Sequence, residues 1–346
     1  YASHSTTVLK RATTHATGPY HLTTAKVDCY AMFTNNTPAG AFRGFGVTQS
    51  AFAVESNMDI LARELRMDPF ELRRKNALRV GSTTATGQVL RESVGLIDCI
   101  DWVRDRVREL DEAPVPETAF ANPRIGWGLA CAYKNTGFGG GAPDSAGAEV
   151  EVYPGDAVAD VEVRASSADL GQGLTTVAAQ IGAEVLGLPF ERVRVLLSDT
   201  DLTPDGGATT ASRQTFVTGN AMRVAAETMR ERLSFVAAEH WDVPPESIRF
   251  EEGELRAKGH SVPFANAVEW LIAEGREPRL RVRYDAPATK PLGEGGDMHF
   301  AFGFSAQAAQ VAVDEETGKV QVLRIVAAAD GGRALNPQAF LGQVEG

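Results

Sequence analysis

The sequence predicts a mixed α/β (α+β) fold, and three kinds of pattern indicate it. Apolar residues recur at spacings of three and four in some segments, short β-type runs are bounded by turn residues in others, and glycine-rich turns precede helical stretches. The longest helical pattern predicts a single buried face formed by Ala51, Val54, Met58, Leu61 and Leu65.

Capping residues and turn signals predict further elements. Asp68, Pro69 and Glu71 suit the N-cap, N1 and N3 positions of a second helix. A third helix is predicted from about Leu96 to Leu110. Strands are predicted over Ala148–Tyr153 and Val158–Ala165, and a hairpin over Ala309–Asp314 and Lys319–Ala328.

The chain of 346 residues is long enough for two domains. The segment 113–122 is acidic and contains proline, so it is predicted to be a linker between residues 1–112 and 123–346.

Charge and cysteine usage exclude several classes of function. A net charge of -11 argues against binding to nucleic acid or to anionic lipid, and no run of apolar residues is long enough for a membrane span. Cys29, Cys99 and Cys131 are widely spaced and lack metal or iron–sulfur spacing. They are typical of reduced thiols, which predicts a cytoplasmic protein.

Three glycine-containing frames are predicted at turns that lead into helices, where free backbone N–H groups bind anions. Each frame carries an amide or hydroxyl side chain suited to a hydrogen-bonding ligand, and the alternative for each is a tight turn of purely structural role. The frames are Gly171-Gln172-Gly173, the stretch from Gly206 to Ser212 followed by Gln214, and Gly342-Gln343.

Phe45 and Phe138 lie in glycine-dense loops that no helix or strand period explains. Each ring can either present a flat face to a planar ligand or fold back onto the core. No hydrolase, P-loop or dinucleotide-binding motif occurs. His299 lies near Asp297, and a lone histidine of this kind is more often structural than catalytic.

Four motifs occur in one order along the chain, and together they closely resemble the molybdopterin-binding subunits of xanthine dehydrogenases and aldehyde oxidases. The resemblance covers essentially the whole chain. The motifs are Ala41-Phe42-Arg43-Gly44-Phe45-Gly46, Gly171-Gln172-Gly173-Leu174, Thr210-Ala211-Ser212 with Gly219-Asn220-Ala221, and Leu335-Asn336-Pro337 with Gly342-Gln343-Val344-Glu345-Gly346.

The resemblance implies that the dithiolene of a pterin holds molybdenum, without metal ligands from protein side chains, and that the pterin has the cytosine dinucleotide form. It implies that the backbone at Arg43 and Ala211 lies near the metal. Cofactor-binding positions carried over are Arg43, Gly44, Gly171, Gln172, Gly173, Ala211, Ser212, Gln214 and Gln343, and substrate-binding positions are Phe45, Phe138 and Arg11.

The resemblance also implies an activity: hydroxylation of an N-heteroaromatic, purine-like or nicotinate-like substrate with water as the oxygen source. Electrons would pass to [2Fe-2S] centres and FAD on partner chains or domains. Within the same family, an aldehyde or aromatic CoA thioester is an alternative substrate. A non-catalytic cofactor-binding or assembly subunit and an unrelated nucleotide-binding protein are alternatives of other classes.

Two segments of the family pattern have no counterpart in the sequence. The catalytic glutamate is expected C-terminal of Gly346, and the first positions of the cofactor site are expected before Tyr1. The resemblance therefore implies no catalytic residue within this chain. Residues 1–112 would be the second half of a first cofactor-binding domain and 123–346 a second domain lacking its end, and both would work within a larger complex, as a divided gene or a truncation.

Overall fold

The computed structural model describes residues 4–37, 40–155 and 160–346. The chain forms two compact units: Tyr1–Asn135 with Thr289–Arg333, and Thr136–Ala288 with Ala334–Gly346. We call them the first and the second unit. The chain therefore leaves the first unit at Thr136 and returns to it at Thr289. The compact units are divided at other positions than the predicted linker at 113–122. The predicted domain boundary at this linker stays a prediction.

Helices and strands both contribute to each unit, which confirms the predicted mixed class. The helices are α1 Ser5–Thr14, α2 Val47–Leu65, α3 Pro69–Asn76, α4 Leu96–Asp111, α5 Leu174–Leu186, α6 Gly219–Trp241, α7 Phe264–Ala273 and α8 Pro337–Glu345. The strands are β1 Arg124–Thr136, β2 Ser145–Val152, β3 Val161–Ala165, β4 Val193–Leu197, β5 Arg249–Glu251, β6 Glu254–Ala257, β7 His260–Pro263, β8 Arg279–Asp285, β9 Ala301–Val313 and β10 Val320–Asp330.

In the first unit, α4 packs against a sheet of order β1-β9-β10. Leu96, Ile100 and Val103 of α4 are fully buried against side chains such as Phe304. The antiparallel pairing of β9 with β10 confirms the predicted hairpin. α3 begins as predicted, since the Asp68 carboxylate accepts hydrogen bonds from two backbone N–H groups of the first turn, at 2.8 and 2.9 Å.

The predicted buried face of α2 is correct in its first half and wrong in its second. Val54 and Met58 pack against the core, whereas Leu61 and Leu65 are exposed, Leu65 by 55%. The inner face instead includes the carboxylate of Glu55, which pairs with the buried guanidinium of Arg73 at 2.7 Å. The buried side of α2 therefore contains Glu55 and Ala62, and the two leucines lie outside it.

In the second unit, a four-stranded sheet has the order β4-β3-β2-β8, with α5 and α6 packed against it. β3 and β4 are parallel and α5 connects them; β3 pairs antiparallel with β2, and β2 with β8. The predicted strand over Val158–Ala165 begins at Val161; Val158 and Ala159 lie outside the described residues. Because β3 and β4 are parallel, the loops that follow them leave the same edge of the sheet, where open α/β sheets bind ligands.

The predicted turn at Gly342-Gln343 is wrong, since both residues lie inside α8. α8 begins earlier, at the Asn336-Pro337 pair. The Asn336 side chain caps it by accepting the N–H of Ala339 at 3.0 Å, and Pro337 occupies the first position. No helix among the described residues is long and apolar enough to cross a bilayer.

Candidate functional site

The loops after β3 and β4 are joined by the side chain of Gln214. Its Oε1 accepts the hydroxyls of Ser167 at 2.7 Å and Thr218 at 2.6 Å, and its Nε2 donates to the carbonyl of Ala208 at 3.2 Å. Ser167 follows β3, while Ala208 and Gln214 follow β4. The sequence predicts a cofactor-lining role for Gln214; the structure shows a buried side chain that fixes two loops together.

The glycine frame before α5 is organised by a residue that sequence reasoning missed. The Asp169 carboxylate accepts the N–H groups of Gly171 at 3.0 Å, Gly173 at 3.2 Å and Thr175 at 2.9 Å, and these bonds, led by Thr175, lower the pKa of Asp169. The helix N-terminus thus already holds one carboxylate. The signal for this cap is an Asp two residues before the first glycine.

Gln172 also uses part of its amide within this turn. Its Oε1 accepts the N–H of Leu170 at 2.5 Å, and its Nε2 donates to the carbonyl of Ala168 at 2.9 Å. An amide nitrogen has two N–H donors, so these contacts hold the loop and leave the group's second N–H for a ligand. The backbone of Gly171 faces open space, since a side chain added there would meet nothing within 4 Å.

The loop after β4 contains two adjacent residues in the left-handed conformation, Ala211 with φ 55° and Ser212 with φ 54°. This conformation costs free energy for residues with a side chain and concentrates at functional sites. The Ala211 carbonyl accepts the N–H of Gly137 at 2.9 Å, which helps to hold the turn. Ser212 is exposed and Ala211 is half-buried.

The side chain of Arg213 holds this strained loop in place through an ion pair and three hydrogen bonds. Its guanidinium is fully buried and pairs with the Asp144 carboxylate at 2.6 Å. It also donates to the carbonyls of Gly206 at 2.8 Å, Ala208 at 3.0 Å and Ser145 at 2.5 Å. Sequence reasoning missed this residue, because Asp144 lies 69 positions away and no local pattern links the two.

Phe138 belongs to the same arrangement. Its N–H donates to the other oxygen of Asp144 at 2.9 Å, and the Arg213 guanidinium lies 5.2 Å from the centre of its ring. The ring is half-buried. Its predicted role against a planar substrate stays a prediction, and the contact with Arg213 shows how the ring is held.

α8 lies beside the glycine frame of α5. A side chain added at Gly173 would meet the Ala339 side chain at 3.6 Å, an ordinary contact distance. Within the second unit, the structure therefore brings the Gly-Gln-Gly motif next to the Asn-Pro motif. Gln343, further along α8, is exposed.

The first unit carries the remaining predicted positions, Arg43, Gly44, Phe45 and Arg11. The Phe45 loop needs glycine: Gly44 has φ 95° and Gly46 φ 107°, and a side chain on Gly46 would reach 2.1 Å from the Val8 carbonyl of α1. The loop is thus held directly against the α1 backbone. Phe45 is half-buried and Arg43 is exposed.

Arg11 is buried on α1 near three other basic side chains, and burial lowers its pKa. Burial and then the charge of Lys134 lower the pKa of His15 to about 3. Burial, Arg11, His15 and Lys134 lower the pKa of His299 to about 2. Burial and Arg11 lower the pKa of Lys134 to about 7. We call these four residues the basic cluster.

The chemistry of the second unit's loops suits a ligand held through its organic part. The second N–H of the Gln172 amide is a neutral donor that can hydrogen-bond a polar ring or phosphate, and the open space beside Gly171 permits a close approach. Within residues 4–37, 40–155 and 160–346, no three His, Cys, Asp or Glu side chains are grouped so as to hold a metal ion.

Comparison with known proteins decides the family. A molybdopterin cofactor-binding domain model matches residues 104–346, and a second model of that description matches residues 1–77. The chain belongs to the molybdopterin-binding family of the xanthine dehydrogenase and aldehyde oxidase type. The xanthine dehydrogenase molybdenum-binding subunit of Escherichia coli O157:H7 is 30% identical over 329 residues, with 91% of this chain and 41% of the relative covered.

Solved structures of the family share the fold. Quinoline 2-oxidoreductase from Pseudomonas putida 86 matches with a TM-score of 0.82 and 27% identity, over 97% of this chain and 44% of that one. The aldehyde oxidoreductase from Desulfovibrio desulfuricans ATCC 27774 matches with a TM-score of 0.77 and 29% identity, over 98% of this chain and 34% of that one. The chain thus spans less than half the length of these molybdopterin-binding relatives.

Proposed function

We propose that this chain forms part of the molybdenum subunit of an oxidoreductase that hydroxylates an N-heteroaromatic substrate, with water as the oxygen source. The observation that supports it most is the pair of loops after β3 and β4, which Gln214 joins, with open space beside Gly171 in one loop and an exposed, left-handed Ser212 in the other. When bound, the molybdenum cofactor would supply the redox chemistry, and the chain would bind and orient the pterin.

Each unit carries residues that we propose as cofactor-binding. Gln172 would donate its second N–H to the pterin or its phosphate, and the Gly171 backbone would allow a close approach. Ala211, Ser212 and Arg43 with Gly44 would present backbone near the metal, and Gln343 would contact the pterin from α8. Gln214 would act indirectly, through the loops it joins.

The substrate class is a further part of the proposal. Phe45 and Phe138 would flank a planar ring and Arg11 would orient it. The printed name of the quinoline 2-oxidoreductase, an enzyme with TM-score 0.82 to this chain, refers to an N-heteroaromatic compound. An aldehyde, as in the name of the Desulfovibrio desulfuricans relative, is the alternative that substrate screening would separate.

The proposed complex includes the remainder of the molybdenum subunit with its glutamate base, a [2Fe-2S] component and an FAD component. The cofactor is proposed in its cytosine dinucleotide form and the complex in the cytoplasm. The thiols support the last point, since Cys99 and Cys131 are buried and all three cysteines are free.

The test is the molybdenum content and the acid-released cytidine nucleotide of the native complex. Near-equal amounts of both per chain are expected. Gln172→Glu keeps an acceptor for the Leu170 N–H but loses the amide donor and adds a charge that repels phosphate, so it is expected to lower both contents several-fold. Gln307→Ala, at an exposed position on β9, is the control and should load fully. A fully loaded Gln172→Glu complex would remove Gln172 from the site, and absence of both components from the wild type would contradict the proposal.

A further inference from the structure

Residues 21–33 of the first unit belong to no helix or strand, and each of them is exposed. Large apolar side chains are among them: Tyr30 is 78%, Met32 68% and Phe33 87% exposed. Residues of this kind favour β-strands, and segments that remain disordered contain few of them. The composition is therefore that of a strand that buries its side chains, whereas the described part of the chain leaves them in water.

Segment 26–33, which we call the arm, has the two-residue alternation of a β-strand. Successive side chains of an extended chain point to opposite faces. The side chains of Lys26 and Asp28 lie 3.3 Å apart, and this contact between residues two positions apart places both on one face. The other face carries only apolar or small side chains, which are Val27, Cys29, Ala31 and Phe33.

The arm has no strand beside it within the part of the chain that the structure describes. Residues 26–31 take part in no strand pair and no β-bridge. An unpaired extended segment can pair with a strand of another polypeptide. Main-chain N–H and C=O groups then supply hydrogen bonds, and alternate side chains fill pockets of the partner. The arm is therefore suited to the edge of a sheet that offers an apolar surface.

α2 carries a second exposed apolar surface in the same unit. Phe52, Ile60 and Leu61 are exposed on this helix. At about 100° per residue they fall on one half of the helix, and the buried Glu55 lies on the other half. Single exposed apolar residues are ordinary, but an apolar helix face together with an apolar arm indicates a protein contact.

Charge and chain length indicate which polypeptide covers the arm. The chain has a net charge of -11, so a second copy would bring a like charge to the contact. The match to quinoline 2-oxidoreductase covers 97% of this chain but 44% of that one, and the match to the Escherichia coli O157:H7 subunit covers 91% and 41%. More than half of each relative is thus polypeptide beyond the part that resembles this chain.

We propose that the arm docks as a β-strand on a sheet edge in the part of the molybdenum subunit that lies outside residues 1–346. The apolar face of Val27, Cys29, Ala31 and Phe33 packs against this partner, and the arm's backbone pairs with the partner's edge strand. Lys26 and Asp28 balance each other, so the contact needs no opposite charge on the partner. The inference rests on the proposed function in one respect, that the chain forms part of a molybdenum subunit.

Photochemical cross-linking of the native complex identifies the partner. Phe33→p-benzoylphenylalanine keeps an aromatic side chain and is expected to capture a peptide of the molybdenum subunit outside residues 1–346. Trp102→p-benzoylphenylalanine, at an exposed position on α4 of the same unit, is the control and should not capture that peptide. Capture of a second copy, of an iron–sulfur or FAD component, or of residues 1–346 alone would overturn the proposal. Capture of the same peptide by both variants would overturn it too.

Hydrogen exchange of the unmodified complex tests the pairing without any substitution. The amides of 27–33 are expected to exchange at least about a hundredfold more slowly than in a free peptide of the same sequence. Phe33→Ser removes the largest side chain of the apolar face and should reduce this protection at least about tenfold. Lys26→Gln, on the opposite face, is the matched control and should keep it. Exchange as fast as in the free peptide, or equal protection in both variants, contradicts docking.

Molybdenum content, measured on the same preparations, separates this inference from the proposed function. A complex that contains molybdenum but has an unprotected arm would overturn the docking and leave the function in place. A complex without molybdenum in which the arm is protected and cross-linked as expected would contradict the function and leave the docking surface in place.

Discussion

Arg213 and His299 are both buried polar side chains, and the two units surround them in different ways. Arg213 has a carboxylate and three carbonyl oxygens within hydrogen-bond distance, so its charge and its donors are satisfied by the protein itself. His299 has fixed backbone but no partner for either ring nitrogen among the described residues. A satisfied network holds loops in a strained shape, whereas a buried polar ring without partners costs free energy of unfolding.

The largest effect is expected from breaking the satisfied network. Arg213→Leu removes the partner of the buried Asp144 carboxylate and the donor to three backbone carbonyls, which should cost about 3–5 kcal/mol in the free energy of unfolding. Urea titrations followed by circular dichroism measure it. Arg223→Leu, which removes an exposed ion pair with Glu227, is the control, with an expected loss of about 0.5 kcal/mol or less. Similar losses for both variants would show that the buried network adds little.

A smaller effect, dependent on pH, is expected from the unsatisfied cluster. The folded-state pKa of His299 is about 2, below the ordinary 6.5, so the unfolded state binds the proton more strongly. Stability is full above pH 6.5 and is lost as the pH falls from 6.5 toward 2. His299→Phe lacks this loss, so between pH 7.5 and pH 5 it should lose about 2 kcal/mol less stability than the wild type.

Unfolding measured at these two pH values checks this expectation, with His21→Phe as the control. Equal acid sensitivity of His299→Phe and wild type would show that His299 titrates normally.

The smallest effect is expected at an exposed cap outside both regions. Asp68→Ala removes two hydrogen bonds to the first turn of α3 and should cost about 1 kcal/mol in the free energy of unfolding. Asp68→Asn keeps an acceptor oxygen and should cost much less. A loss for Asp68→Ala as large as that of Arg213→Leu would contradict the distinction between exposed and buried partners.

Local signals in the sequence were enough for much of the fold. The starts of α3 and α5 and the β9–β10 hairpin follow from residues within a few positions of one another, and the structure confirms them. The prediction of a turn at Gly342-Gln343 was wrong because the helix-start signal Asn336-Pro337 lies a few residues earlier. The prediction for Leu61 and Leu65 was wrong because the buried side of α2 includes the polar Glu55, whose long-range partner Arg73 on α3 cannot be found from the apolar pattern of α2.

The site was less accessible to sequence reasoning, because its contacts are long-range. Gln172 and Gln214 were singled out by their glycine frames and Ala211 by family resemblance, and all three lie in the loops that follow β3 and β4. The resemblance did not indicate that Gln214 is buried and holds the two loops together. The partners of Arg213 and the cluster around His299 come from segments far apart in the chain, and no spacing rule connects them.

Residues 214–218 form one turn of π-helix just before α6. A π-helical turn contains about one residue more than an α-helical turn. Deleting one residue there would allow an ordinary α-helical turn and leave the rest of α6 intact. Because each residue of an α-helix turns the chain by about 100°, Arg213 and Gln214 would then swing around the helix axis relative to everything downstream. The π-helical turn therefore fixes the direction in which Arg213 and Gln214 point relative to the side chains of α6. Deletion of one residue in this turn would therefore be expected to break the hydrogen bonds that Arg213 and Gln214 make to the loops after β3 and β4, although both side chains would still be present.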